Sequence, residues 1–186
     1  DAAEHVFRDK GVARTRMEDI AAGANCTRGA IYWHFKNKVD VLLAMFDRVS
    51  LPLYDSMNQI IASQPVNPVE AWRSHLRRSM AKIEQDIQQQ TVCDILMNRC
   101  ELGSDLALLR ENEQQRSNFF INSTLQILEQ AKANGTIREN ANLALASLSI
   151  HAMVTGLIRL WLRQSGNFPL EKTVDESLDL FLLSIC

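Results

Sequence analysis

The residues best suited to chemistry in this sequence lie close together in the stretch 27–38, TRGAIYWHFKNK. Three rings stand in a row after Arg28: Tyr32, Trp33 and His34. Basic groups attract phosphate, and a Tyr hydroxyl or a ring N–H can donate to its oxygens. A helix that only fills a core would keep its rings on one face. The stretch therefore indicates contact with a polyanion, although a short helix with Tyr and Trp also fits simple packing.

The formal net charge of −2 conceals a basic segment. Residues 10–38 contain six basic and two acidic side chains, a net charge of +4, so the rest of the chain carries −6. A basic segment on an acidic body is what a localised polyanion site requires. Basic solvated faces are common, so charge by itself does not decide the partner.

The spacing of apolar residues predicts an all-α fold. No alternating strand pattern of useful length occurs, and the 186 residues include only seven glycines and four prolines. The opening DAAEHVF reads as the interior of a helix without a cap, so we expect that residues before Asp1 are missing. Gly11 holds the position typical of a helix end.

Two short helices around a turn are predicted next. Thr15 is expected to cap the first helix, and Glu18, three residues later, would complete a capping box. Residues 23–25 interrupt that helix, and Thr27 begins another. This is the spacing of a helix-turn-helix motif.

The second of these helices is the candidate for reading DNA. Ile31 and Phe35 lie four residues apart and face inward, which leaves the other faces exposed. In a helix-turn-helix the second helix enters the major groove with its N-terminal residues at base edges, a position that suits Arg28. The candidates for phosphate contacts are Tyr32, His34 and Lys38.

The stretch from Gly11 to Phe46, GVARTRMEDIAAGANCTRGAIYWHFKNKVDVLLAMF, resembles the N-terminal domain of the TetR family of repressors, in particular its AcrR-like branch. The positions that match that branch's pattern are Gly11, Val12, Thr15, Ile20, Ala21, Thr27, Arg28, Gly29, Ala30, Ile31, Tyr32, Trp33, His34, Phe35 and Lys38. Weaker similarity to efflux repressors of this branch extends over 96–102, 156–162 and 178–184.

Two residues depart from the branch pattern. Asn25 replaces a turn glycine, and the turn should survive because Asn tolerates a left-handed backbone. Cys26 replaces a buried Val, and we expect it to be a small buried hydrophobe as well.

The resemblance implies a DNA-binding domain over 1–46, with its first helix truncated, and a ligand-binding and dimerisation domain over 47–186. It implies a dimer that binds a pseudo-palindromic double-stranded operator, represses a multidrug efflux pump operon, and leaves the operator when a hydrophobic drug-like effector binds. The candidate DNA contacts are Thr15, Arg16, Thr27, Arg28, Gly29, Tyr32, Trp33, His34 and Lys38.

The C-terminal residues support a helical dimer on their own. The stretch 142–163 is apolar nearly all round and rich in small residues, which predicts a helix buried on every side. In a chain of this length a second subunit is the natural partner, although the helix could also be central to one monomer. With a final helix over 170–186 it could form a four-helix bundle across a two-fold axis.

An effector site is implied by resemblance to pocket positions of this branch. The candidates are Leu76, Cys93, Leu96, Met97, Ser117, Phe120, His151, Val154 and Ile158. Such a pocket should be mostly apolar with a few polar groups, and Met repacks easily around different ligands. His151 is an imidazole in an apolar stretch, so it either meets a polar atom of a ligand or bonds a backbone carbonyl.

Other classes of function find little support in the sequence. No Gly-rich phosphate loop, nucleophile elbow or metal-ligand cluster occurs, so neither an enzyme, a cofactor nor a metal is expected. Alternatives that remain are a TetR-type repressor of a metabolic operon and a helical interaction module that does not bind DNA.

The cysteines and the hydropathy indicate a cytoplasmic protein. The four cysteines are scattered without a C-x-x-C pair, which suggests reduced thiols acting as small buried hydrophobes. No apolar run is expected to reach the roughly 20 residues of a membrane span, and no signal peptide is visible.

Overall fold

A computed structural model describes residues 1–99 and 107–185, and all regular secondary structure in that part of the chain is helical. The all-α prediction is confirmed. In chain order the helices are α1 (Ala2–Lys10), α2 (Met17–Gly23), α3 (Arg28–His34), α4 (Lys38–Ser63), α5 (Pro68–Gln85), α6 (Ile87–Asp94), α7 (Ala107–Ala133), α8 (Leu143–Arg163) and α9 (Leu170–Leu182). A π-helical turn, Ile95–Arg99, follows α6 directly.

The chain divides by its contacts into two compact units. Unit 1 comprises Asp1–Leu51 and Ile87–Glu113, and unit 2 comprises Pro52–Asp86 and Gln114–Cys186. This grouping differs from the predicted division at residue 46, since α6 belongs to the first unit. The reason is packing: Val92 and Ile95 are buried in the same apolar cluster as the N-terminal helices.

The core of unit 1 gathers one apolar face from each N-terminal helix. Its members include Phe7, Val12, Ile20, Ile31, Leu42 and Phe46. The only buried residue of α3 is Ile31, and Phe35 packs partly buried just after the helix. Because one residue anchors α3, most of its surface is free for other contacts.

A polar cluster ties α1 to the rest of unit 1. Glu4 is buried, and its carboxylate is paired with the Arg48 guanidinium of α4. Arg48 also contacts Asp1 at 2.7 Å, and the Gln88 side chain of α6 donates to Glu4 at 3.3 Å. The buried carboxylate is thus satisfied by side chains from two helices, as a buried charge requires.

Unit 2 is built around the packing of α9 on α5 and α8. Its fully buried side chains include Trp72, Leu76, Ile127, Leu128, Ile150, Leu170 and Leu178. At the edge of the α5–α9 contact Arg73 binds Asp175 at 2.5 Å and Asp179 at 2.9 Å. The hydrogen bond from Arg73 holds the pKa of Asp175 below its usual range.

Local residues and hydrogen bonds explain where helices of unit 2 begin and end. Asn67 accepts from the Glu70 amide and Pro68 fills the first turn of α5, a position where a missing N–H is harmless. The final helix is shorter than predicted and ends at Leu182. There the amides of Ser184 and Ile185 turn back onto nearby carbonyls, so the helix does not continue.

Helix α8 is 21 residues long and, by length and composition, apolar enough to cross a membrane. The expectation that no apolar run reaches this length is therefore wrong. One face of α8 lies in the core of unit 2, with Ala146, Ser147, Ile150, Val154, Ile158 and Trp161 buried. That burial accounts for one side of the helix, and further aliphatic side chains on α8 remain exposed.

Candidate nucleic-acid interface and effector site

The turn between α2 and α3 has the predicted form. Asn25 adopts a left-handed backbone with φ of 52°, and the Cys26 amide donates to the Ala21 carbonyl at 3.0 Å. The Thr27 hydroxyl then accepts from the Ala30 amide at 3.2 Å and caps α3. The burial predicted for Cys26 is wrong, because the thiol side chain is exposed at the turn.

Helix α3 presents donor-bearing side chains to solvent. Trp33 is 85% exposed and Tyr32 41% exposed. Arg28, Gly29 and His34 are exposed as well. A Cβ added at Gly29 would meet only the Thr27 hydroxyl, at 3.9 Å, so the backbone there is open to close approach. The arrangement suits a partner that accepts hydrogen bonds.

Arg28 has two neighbours in unit 1. Its Nε lies 3.2 Å from a carboxylate oxygen of Glu18 on α2. Its guanidinium carbon lies 5.4 Å from the centre of the Tyr32 ring, within the range of a cation–π contact. The base-reading candidate is therefore held between an acidic and an aromatic side chain.

Thr15 and Arg16 differ in exposure. Thr15 is buried, and its hydroxyl donates to the Gly11 carbonyl at 2.8 Å. The capping box predicted at Thr15 and Glu18 is wrong: Arg16 is the N-cap, and its amide donates to Asp19 at 2.9 Å. The Thr15 side chain instead lies against the residue that follows α1, where its hydroxyl donates to the Gly11 carbonyl.

Two lysines of the basic segment are engaged within unit 1. Lys10 donates to Asp19 at 2.6 Å, and this hydrogen bond lowers the pKa of the Asp19 carboxyl. The Lys38 ammonium donates to the carbonyls of Val12, Ala13 and Thr15 at 3.0, 3.1 and 3.4 Å. Lys38 thus fastens the loop after α1, and its phosphate contact stays a prediction.

Six of the effector candidates lie in unit 2. Leu76, Phe120, Val154 and Ile158 are buried, and Ser117 and His151 are half-buried. The rings of Phe120 on α7 and His151 on α8 are 5.3 Å apart at a tilt of 44°. Burial lowers the pKa of His151, which favours the neutral imidazole. A neutral ring beside a phenyl ring suits an uncharged aromatic ligand.

The other three candidates lie in unit 1. Cys93 is near the end of α6, and Leu96 and Met97 lie on the π-helical turn that follows. Burial raises the pKa of the Cys93 thiol to about 12, so it is a weak polar group and an unreactive one. All three side chains are half-buried, and Leu96 packs against the apolar core. Single-turn π-helices are frequent at functional sites.

His75 is a buried polar residue that the sequence analysis missed. On α5 it follows Trp72 by three residues, and its Nδ1 lies 2.9 Å from the Ser56 hydroxyl of α4. Its Nε2 and the indole Nε1 of Trp72 have no hydrogen-bond partner among the described residues. Burial, and secondarily Arg78, lower the pKa of His75 to about 4. The sequence signal that could have indicated its burial is the position of His75 in the apolar stripe of α5.

A surface cleft of about 470 Å³ lies where α8 begins and α9 ends. Its lining is Arg138, Asn140, Ala141, Asn142, Leu145, Ala146, Ser149, Phe181, Ser184 and Ile185. None of the predicted effector residues lines this cleft. Within residues 1–99 and 107–185, no group of three His, Cys, Asp or Glu side chains could hold a metal ion.

Comparison with known proteins assigns both parts of the chain. Residues 1–45 match the family described as "Bacterial regulatory proteins, tetR family", and residues 67–185 match the "MAATS-type transcriptional repressor, C-terminal region". The HTH-type transcriptional regulator TtgR of Pseudomonas putida is 32% identical over 189 residues, covering 99% of this chain and 90% of TtgR.

Solved structures agree with this assignment. A complex of SmeT with triclosan has a TM-score of 0.91 and 31% identity, covering 99% of this chain and 88% of SmeT. SmeT is the repressor of the Stenotrophomonas maltophilia multidrug efflux pump SmeDEF. NalD is the secondary repressor of the MexAB-OprM multidrug efflux pump in Pseudomonas aeruginosa. Its structure has a TM-score of 0.87 and 27% identity, covering 99% of this chain and 91% of NalD. The chain belongs to the tetR family of bacterial regulatory proteins, with a MAATS-type C-terminal region.

Proposed function

We propose that this protein is a ligand-responsive repressor that binds a pseudo-palindromic operator as a homodimer. The observation that carries the proposal is the exposed surface of α3, where Arg28, Tyr32, Trp33 and His34 follow a left-handed turn and a Thr27 cap. A capped helix start with exposed donors suits insertion into the major groove. The full proposed contact set is Thr15, Arg16, Thr27, Arg28, Gly29, Tyr32, Trp33, His34 and Lys38.

A mobility-shift titration tests the DNA contact. The full chain should bind a duplex from its own promoter region, and the affinity should fall steeply with salt because counterions are released from phosphate. Arg28→Ala should weaken binding by about 1–3 kcal/mol if Arg28 reads a base. Lys82→Ala, which removes an exposed basic side chain outside residues 10–38, is the matched control. Equal effects of the two variants would contradict the assignment.

The dimer is proposed to form through α8 and α9. On α8, Leu145 and Leu148 are 58% and 53% exposed, and Leu180 on α9 and Leu183 just after it are more exposed still. Exposed aliphatic side chains on two adjacent helices mark an interaction surface. A two-fold axis through this surface would form a four-helix bundle and set two copies of α3 on one operator. Sedimentation of the purified chain tests the assembly.

The effector is proposed to be a hydrophobic aromatic compound. The support is the pairing of Phe120 with a neutral His151, together with the similarity to SmeT, which has been solved in complex with triclosan. The candidate lining remains Leu76, Cys93, Leu96, Met97, Ser117, Phe120, His151, Val154 and Ile158. Titrating hydrophobic drugs against the protein–operator complex tests this. His151→Ala should raise the concentration needed for release.

Effector binding is proposed to act by population shift. The effector can favour a DNA-incompetent arrangement by no more than its differential affinity for the two states. Helix α4 contributes residues to both units, and we propose that it is the lever. Crosslinking α4 to the C-terminal helices should abolish induction while operator binding persists. Induction that survives the crosslink would contradict the lever.

The regulated genes are proposed to encode a multidrug efflux pump, since SmeT and NalD repress such pumps. We further propose a cytoplasmic regulator that is not an enzyme, with residues 1–46 as its DNA-binding domain and 47–186 as its ligand-binding and dimerisation domain. The alternatives are a repressor of a metabolic operon and an interaction module that does not bind DNA. Binding to a pump promoter, but not to promoters of metabolic genes, would separate them.

A further inference from the structure

Glu18 is an acidic residue within the basic surface around α3. It is the second residue of α2, and its side chain is 49% exposed. Its neighbour Asp19 already serves the helix start, accepting from the Arg16 amide at 2.9 Å and from Lys10 at 2.6 Å. The helix therefore does not need Glu18 as a cap, and the Glu18 carboxylate is directed to Arg28 instead.

The geometry of the Glu18–Arg28 pair restricts how Arg28 can bind a base. The carboxylate lies 3.2 Å from Nε, the nitrogen nearest the Arg28 stem. The two terminal nitrogens have no partner among the described residues, and the guanidinium lies over the Tyr32 ring. Guanine presents two acceptors, O6 and N7, that a guanidinium fork can bind together. Because the carboxylate lies beside Nε, the fork best placed to bind a base is the end-on pair of terminal nitrogens.

We propose that Glu18 is a specificity-determining residue that positions Arg28 end-on toward guanine. The inference rests on the proposed function, because it requires that α3 enters the major groove. Exposed ion pairs are weak in water, but they strengthen when a partner excludes solvent. The pair should therefore matter most in the bound complex.

Glu18 also disfavours non-specific binding. If Arg28 turned away to a phosphate, the Glu18 carboxylate would be left unpaired beside the DNA backbone. Like charges that meet in one mode of binding and not in another create specificity by repulsion. Glu18 thus favours the mode in which Arg28 stays paired and reads a base.

The experiment compares wild type, Glu18→Gln, Arg28→Lys and the double variant, each as the full chain. Wild type first selects a preferred duplex from a library with a randomised central segment. Failure of wild type to enrich any duplex would overturn the proposed function itself. Affinities are then measured at one salt concentration for the selected duplex, for duplexes with single base-pair changes and for an unrelated duplex.

We expect Glu18→Gln to tighten binding to the unrelated duplex. The preference for one guanine should fall by about fivefold, the upper range for an exposed ion pair. Arg28→Lys should remove that preference, since lysine lacks the fork, and Glu18→Gln should then change it no further. The matched control is Glu139→Gln, which neutralises another exposed carboxylate paired with a lysine, Lys132. It should leave the preference unchanged.

Two outcomes would overturn the inference. Glu18→Gln could tighten binding to every duplex equally, which would make Glu18 a surface charge without a role in selection. Alternatively, Glu18→Gln could alter the preference at a different base pair and do so in the Arg28→Lys background as well. Glu18 would then read a base directly, as a carboxylate can with cytosine. Unchanged unfolding curves for Glu18→Gln exclude a folding defect as the cause.

Discussion

Helices α3 and α8 both expose large apolar side chains, yet the chemistry of their exposed faces differs. On α3 the exposed rings carry donors, the Tyr32 hydroxyl and the Trp33 indole N–H, and Arg28 lies beside them. On α8 the exposed Leu145 and Leu148 carry none. A surface with donors suits a wet, charged partner such as DNA, whereas an aliphatic surface is satisfied only by another apolar surface.

The difference extends to the anchoring of the two helices. One buried side chain, Ile31, holds α3 in its core, whereas α8 buries six residues. A helix with little burial depends on its turn and cap for its position, here Asn25 and Thr27. Substitutions on α3 should therefore affect binding more than stability, and substitutions on the exposed face of α8 should affect assembly.

The largest expected effect is the loss of the dimer in Leu148→Glu. A carboxylate buried without a partner costs about 3–5 kcal/mol, so the variant should sediment as a monomer and lose operator affinity with it. Gln126→Glu, at an exposed position on α7, is the control for added charge. If the Leu148→Glu protein stays dimeric, the assignment of α8 to the dimer interface is wrong.

A smaller effect is expected for Trp33→Ala, which tests α3, the other helix in this comparison. Because Trp33 is 85% exposed, the unfolding free energy should change by no more than about 0.5 kcal/mol. A hydrogen bond to a charged phosphate contributes roughly 1.5–3 kcal/mol, so operator binding should weaken by that amount. Sedimentation should show an intact dimer. Unaltered DNA affinity would show that Trp33 does not contact the operator.

His75 should make unit 2 sensitive to acid. Its folded pKa of about 4 lies below the ordinary value of 6.5, so the unfolded state binds the proton first as pH falls. The stability is present above pH 6.5 and declines from there to about pH 4. Between pH 7 and 5 the unfolding free energy should fall by about 2 kcal/mol.

The control for this pH effect is His75→Gln, which can still bond Ser56 but does not titrate. Chemical denaturation at pH 7 and 5 should show a smaller pH dependence in the variant than in wild type. An equal dependence in both proteins would mean that other groups dominate the acid response. Burial also lowers the pKa of His151, so part of the pH dependence should remain in the variant.

The smallest expected effect is that of Gly156→Ala, which tests whether two α8 helices approach each other closely in the dimer. A Cβ at this position would meet no atom within 4 Å, so alanine fits inside the unit. In the Leu148→Glu background, Gly156→Ala should raise the unfolding free energy by up to about 1 kcal/mol through helix propensity. In the dimer it should weaken association if the two α8 helices approach closely there. An unchanged dimer dissociation constant would place Gly156 outside the contact.

Local patterns predicted the surface of α3 well. The inward direction of Ile31 and the exposure of Arg28 and Tyr32 follow from spacing within a few residues. The left-handed turn at Asn25 was expected from the family resemblance and from the tolerance of Asn for that backbone. The cap of α2 was predicted at the wrong residue. The N-cap is the adjacent Arg16, whose amide donates to Asp19, and the Thr15 side chain lies against the Gly11 carbonyl.

Contacts between distant residues could not be predicted in the same way. Lys38 uses its donors on carbonyls 23 to 26 residues earlier in the chain. Arg73 meets Asp175 across 102 positions, and Cys26 is exposed although its residue type suggested burial. Each of these outcomes depends on which helices become neighbours, and the periodicity of a single helix carries no information about that.

The sequence by itself determined the helices, their inward faces and the clustering of donors on α3, because these depend on side-chain spacing along one segment. The tertiary structure alone decided that His75 is buried against Ser56, that α6 joins the N-terminal core and that Glu18 lies beside Arg28. Hydrogen bonds and ion pairs act over only a few ångströms, so they exist only after packing has brought separate helices together.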